Sequence, residues 1–123
     1  MLLENFYKVV SLDQADNQKH TAVIEVNPAH DVFKGHFPGN PVMPGVCMMQ
    51  IIKELTEKIT SRKLVMQSLS NVKFMALINP DVTPELRIEL DIVADDELVK
   101  VKNTTMFNDT TALKLSSVYK RQN

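Results

Sequence analysis

Residues 35–50, GHFPGNPVMPGVCMMQ, hold all three glycines of the chain, three of its six prolines and one of its three histidines. His36 stands between Gly35 and Phe37, and the run after it is punctuated by Pro38, Pro41 and Pro44. Proline fixes φ and lowers the freedom of the unfolded chain, so such a loop holds its shape. Glycine lets backbone approach a ligand closely. The loop leads into a helical pattern, and the first N–H groups of a helix have no partners within it. Those donors, at the positive end of the helix dipole, suit a developing oxyanion. An imidazole that titrates near neutral pH beside them is the equipment for taking a proton from the carbon next to a carbonyl. The competing reading is structural: Pro and Gly make a tight turn and His36 caps a neighbouring segment.

The elements that must position these residues follow from periodicity. Met48, Ile52, Leu55 and Ile59 recur at i, i+4, i+7 and i+11, one stripe of a helix that should end near Ser61. Pro44 suits the first helical turn, where its missing N–H costs nothing. ENFYKVVSL and HTAVIEV, joined by the polar DQADNQK, read as a hairpin. LSNVKFMALI is a third strand signal, and in LRIELDIV the residues Leu86, Ile88, Leu90 and Ile92 alternate with Arg87, Glu89 and Asp91. LVKVKNTTMF and TALKLSSVYK flank a turn at Asn108-Asp109. Two strands, a helix and about four more strands make an α+β layer, with the helix packed across an antiparallel sheet. The sheet edge left by that packing is a place for a twin subunit to add.

Residues 36–45 match the pattern H-F-P-x-x-P-x-x-P-G without a gap. That run resembles the signature of the hot-dog-fold 3-hydroxyacyl-[acyl carrier protein] dehydratases, and weaker similarity extends through NVKFMALINP and ELRIELDI to the last two strands. The resemblance implies a hot-dog fold, a long central helix wrapped by an antiparallel β-sheet, as a single domain over residues 1–123. It implies His36 as the base that removes a proton from C2 of the acyl chain, and Gly45 as the residue whose N–H binds the thioester oxygen. It makes the carbonyl of Val42 the group that orients the histidine, and Phe37 a further contact of the bound substrate. The implied substrate is a 3-hydroxyacyl group on the phosphopantetheine arm of acyl carrier protein, with no metal and no dissociable cofactor. Family members work as dimers in which the acid of one subunit faces the histidine of the other.

The acid position departs from that pattern. The family places Glu or Asp fourteen residues after the histidine; here Gln50 occupies it, and Glu54 follows one turn later, where the dehydratases commonly carry glutamine. An amide donates a hydrogen bond but does not give up its proton, and losing a general acid costs about 10²–10⁴ in rate. Residues i and i+4 share a helix face, so Glu54 can act through Gln50 or through a water. The alternative is that Glu54 belongs to a solvated face with Lys53, Glu57 and Lys58. Ala76 and Leu77 follow Met75 where family members often have a basic residue and a proline, leaving Lys73 to supply the charge, and NPDVTPEL lacks the family's glycine turn.

Composition narrows the classes. The chain has 123 residues, 44% hydrophobic and 24% charged, with seven methionines, no tryptophan and a net charge of −1. Its scattered basic residues make neither a nucleic-acid footprint nor a membrane-binding segment. A single cysteine, Cys47, precludes an internal disulfide, and its place at a helix start is read as core packing. Glu4 and Lys8 interrupt the first residues where a signal peptide needs an apolar run. The expectation is a cytoplasmic protein acting as a 3-hydroxyacyl thioester dehydratase, as a homodimer or a mixed hot-dog dimer. The alternative is a non-catalytic acyl-carrier-binding or partner subunit of such a mixed dimer. A thioesterase ranks last, since the loop offers no carboxylate to activate water.

Overall fold

In the computed structural model, which describes residues 4–34 and 41–122, six strands and one α-helix follow in the expected order. They are β1 (Tyr7–Gln14), β2 (Lys19–Val26), α1 (Gly45–Thr60), β3 (Leu64–Phe74), β4 (Glu85–Ala94), β5 (Leu98–Phe107) and β6 (Thr110–Arg121). The strands form one antiparallel sheet in the order β1-β2-β4-β5-β6-β3. Among the described residues, no helix is long and apolar enough to cross a membrane.

The expected alternation in β4 is present: Leu86, Ile88, Leu90 and Ile92 are buried, with Arg87 exposed between them. Ala22, Ile24 and Val26 of β2, Val99 and Val101 of β5, and Leu113, Leu115 and Tyr119 of β6 join them on the core side. Against that surface α1 lays Cys47, Met48, Ile51, Ile52, Leu55 and Thr56. Three of the four stripe residues are fully buried and Ile59 packs partly against the core. Removing one such Leu or Ile side chain from a packed core costs about 2–5 kcal/mol.

Two boundaries differ from expectation. Pro44 is the N-cap of α1 rather than a residue of its first turn: its ψ of 141° is extended, while its carbonyl already accepts from Cys47 and Met48 N–H at 3.1 and 3.3 Å. A cap residue combines those two properties, non-helical backbone and a helical acceptor. The third strand begins at Leu64 and ends at Phe74, so it is shifted toward the N-terminus relative to LSNVKFMALI. Leu64 pairs opposite Arg121, and the strand ends where Met75 and Ala76 N–H turn to share the Ala112 carbonyl. Most of its side chains are exposed on both faces, so its sequence carries no alternation to mark its ends.

The helix stops at Ser61, which takes a left-handed φ of 57° as C-cap, and Asn108 turns the β5–β6 hairpin with φ 51°. Asp16 and Asp95 close two other turns. Asp16 accepts from Gln18 and Lys19 N–H, and Asp95 from Glu97 and Leu98 N–H, all at 2.8 Å. These N–H groups hold both carboxyls below the ordinary range. A depressed folded value means stability that is fully present above the unfolded pKa, about 3.9, and lost as pH falls through the lower folded value. Urea titrations at stepped pH should therefore show a shallower loss of stability on acidification for Asp16→Asn/Asp95→Asn than for the native chain. Identical slopes below about pH 4 would contradict the assignment of acid sensitivity to these turns.

Candidate active site

Both flanks of residues 35–40 are anchored. Before them, Phe33 is buried and stacks on Phe6 with ring centroids 5.4 Å apart. His30 caps the short 3-10 turn Asp31–Phe33: its Nδ1 accepts from Val32 N–H at 3.0 Å, so its Nε2 carries the proton and donates to the Glu4 carbonyl at 3.0 Å. That histidine is spent on structure. After residue 40, Met43 N–H donates to the Ile78 carbonyl at 2.8 Å and pins the entry to α1 against the β3–β4 connection. His36 and Phe37 lie outside the described residues.

The start of α1 has the character expected of it. Pro44 offers no side-chain cap, and among the described residues Gly45 and Val46 N–H have no acceptor. A helix end left this way holds free donors and the positive end of the macrodipole. It opens into a hollow of about 530 Å³ lined by Val42, Met43, Gly45, Met48, Phe74 and Leu113, among others. The lining side chains are apolar and offer the donors at Gly45 no hydrogen-bond partner of their own. The role of Phe74 was not foreseen from sequence. Its ring lies across Gly45 so closely that a Cβ added there would sit 2.7 Å from the ring's Cζ, while the ring itself remains 59% exposed. With the ring in this position a side chain at 45 would have to displace it.

Gln50 and Glu54 sit elsewhere. Five residues along a helix separate Gly45 from Gln50 by about 7.5 Å in rise and about 140° in rotation. Gln50 and Glu54 line a second, polar hollow with Lys53, Glu57, Arg62 and Lys63, which shares no lining residue with the first. Gln50 Nε2 donates to Glu54 Oε2 at 2.8 Å, and Tyr7 Oη donates to Glu54 Oε1 at 2.7 Å. Glu54 is thus directly joined to Gln50, and its partners are these two groups rather than Lys58. Tyr7, on β1, was missed by the sequence reading; 47 positions from Glu54, it gives no local signal. Its burial, helped by the Glu54 carboxylate, pushes its hydroxyl far above the usual phenol range. Cys47 packs in the core, and burial raises its thiol as well.

A single long helix packed against an antiparallel sheet in this strand order defines a hot-dog fold. The chain belongs to the ApeI-like dehydratase family (ApeI dehydratase), which matches residues 12–113. It is 28% identical over 122 residues to the 3-hydroxyacyl-[acyl-carrier-protein] dehydratase FabZ of Lactobacillus helveticus, spanning 90% of this chain and 82% of that protein. The corresponding FabZ of Lactiplantibacillus plantarum is 27% identical over 100 residues, spanning 72% of this chain and 68% of that one. Among solved structures, the dehydratase heterocomplex ApeI:P from Xenorhabdus doucetiae has a chain that superposes with TM-score 0.74 at 20% identity, covering 93% of this chain and 97% of its own. The protein smu.793 of Streptococcus mutans, bound to acetyl CoA, superposes with TM-score 0.68 at 12% identity, covering all of this chain and 94% of its own. Both share the fold.

The contact between Gly45 and Phe74 yields a test. Gly45→Ala should fold, because the exposed ring can swing aside and alanine favours the helix. It should weaken binding of a short acyl-pantetheine by about tenfold or more, the scale of an overpacking cost of 1–3 kcal/mol. Adding Phe74→Ala should recover part of that loss by calorimetry. Unimpaired binding by Gly45→Ala would remove the helix start from the site.

Proposed function

We propose that this protein acts on 3-hydroxyacyl groups carried by acyl carrier protein, as a (3R)-3-hydroxyacyl thioester dehydratase-type subunit built of one domain over residues 1–123 and working in the cytoplasm. The observation that carries this reading is the uncapped start of α1 at Gly45 beneath an apolar hollow, in a chain of the ApeI-like dehydratase family. N–H donors beside an apolar lining stabilise an oxyanion best once a bound acyl group has displaced water from them. The thioester carbonyl oxygen takes the Gly45 N–H, the Val42 carbonyl orients His36, and Phe37 packs against the acyl group. His36 removes the C2 proton, the electron pair forms the C2–C3 double bond, and the C3–O bond breaks. The departing hydroxyl leaves as water only if it collects a proton, and Gln50 has none to give.

The arrangement of the two hollows supports a dimer. One chain keeps its helix-start donors and its Gln50–Glu54 pair in separate depressions, so a complete site needs a second hot-dog chain. β3 stands at the sheet edge and exposes Val65, Met66 and Phe74, with Met75 and Leu77 just beyond it. Unpaired edge groups and apolar side chains together suit the addition of another subunit.

A specific observation favours a second reading, a partner subunit in a mixed dimer. The side chain at the acid position is an amide, and the nearest carboxylate, Glu54, has both oxygens occupied by hydrogen bonds. A second hot-dog chain bringing a carboxylic acid would complete the site, and the ApeI:P structure is described as a heterocomplex.

Hydration of a short 2-enoyl thioester by the purified chain separates the two. Turnover that His36→Ala abolishes supports the enzyme. Turnover only after Gln50→Glu, with a gain of about 10²–10⁴, supports the partner subunit. No turnover in Gln50→Glu, alone or mixed with an acid-bearing hot-dog chain, would sink the acyl dehydratase site altogether.

A further inference from the structure

The hydrogen bonds around Glu54 have a fixed polarity. An ionised carboxylate only accepts, whereas a glutamine amide has one accepting oxygen and a donating NH₂. Glu54 Oε1 takes the Tyr7 hydroxyl at 2.7 Å and Oε2 takes Gln50 Nε2 at 2.8 Å. Turning the Gln50 amide over would set its oxygen against a carboxylate oxygen at that same short separation, two lone-pair-bearing atoms with no proton between them. The Tyr7 hydroxyl cannot relieve this by ionising or reversing, since burial and the adjacent carboxylate keep it protonated and donating. Tyr7 donates, Glu54 accepts twice, and Gln50 is left with its carbonyl oxygen directed away from Glu54.

We propose that Tyr7 and Glu54 are positioning residues that turn the amide oxygen of Gln50 outward, so that Gln50 accepts the proton of the substrate's 3-hydroxyl and selects 3-hydroxyacyl groups over acyl groups lacking that donor. This rests on the reading of Gln50 as facing the acyl chain. Its chemical consequence differs from that of a carboxylic acid at the same place. A hydroxyl that donates to Gln50 gains electron density on its oxygen and becomes a poorer leaving group. The contact therefore holds and orients the hydroxyl while contributing nothing to C–O cleavage, whose proton must come from His36 or from a partner chain. Tyr7, though on another element and away from the hollow at Gly45, sets the direction of this contact through Glu54.

The test uses a pair of pantetheine amides of the full chain's ligand class, 3-hydroxybutyryl and 3-fluorobutyryl. Fluorine matches the hydroxyl in size and can accept weakly, but it cannot donate. By calorimetry the native protein should bind the 3-hydroxy compound about three- to tenfold more tightly, the worth of one neutral hydrogen bond. Glu54→Gln, nearly isosteric, frees the amide to adopt either orientation and should bring the ratio close to one. Tyr7→Phe keeps the ring's packing and leaves Glu54 an acceptor without its anchor, so it should lower the ratio less than Glu54→Gln does. A ratio measured within each variant cancels any general weakening of fold or site, so a merely structural role for Tyr7 and Glu54 would not move it. Equal binding of the two compounds by the native protein, or an unchanged ratio in both variants, overturns the proposal while leaving the acyl-binding site intact. Failure of either compound to bind at all falls first on the proposed function and takes the inference with it.

Discussion

Everything at the candidate site depends on how α1 is seated. Its apolar face, from Cys47 to Thr56, is covered by the core side of the sheet, and its start is held by the bond from Met43 N–H to the Ile78 carbonyl. That seating decides which side of the helix remains for chemistry. With the core claiming one face, Gly45 is left at one hollow and Gln50 with Glu54 at another. Helix geometry fixes the offset between Gly45 and Gln50, and Ile51, Ile52 and Leu55, each essentially fully buried, fix which way the helix faces.

The two hollows divide the labour by polarity. The one at the helix start has apolar side chains around the Gly45 N–H, which suits binding and polarising a carbonyl. The other is crossed by Lys53, Glu57, Arg62 and Lys63, and its central carboxylate is already satisfied by Tyr7 and Gln50. A carboxylate that accepts two short hydrogen bonds is well suited to fixing its neighbours. With the acid and amide of the dehydratase pattern exchanged between positions 50 and 54, the amide at 50 donates to the carboxylate one turn on.

Much of this was legible in the chain because local periodicity is a local property. The stripe through Met48, Ile52 and Leu55 and the alternation in β4 each follow from one element having one buried side. The gapless run over residues 36–45 pointed to the family that matches residues 12–113. β3 was misjudged in extent because an edge strand exposed on both sides has no inward face to alternate with. Phe74 was visible as a residue of NVKF, but nothing in its neighbours said that its ring would close over Gly45.

The sequence by itself determined the element order, the faces those elements bury and the residue types gathered at the start of the helix. Each of these depends on residues within a turn or two of one another. Tertiary structure alone decided that Tyr7 meets Glu54 and that the Phe74 ring lies over Gly45. Those are contacts across 29 to 47 positions of chain, set by the strand order and by the angle at which the helix lies on the sheet, and no local pattern encodes either.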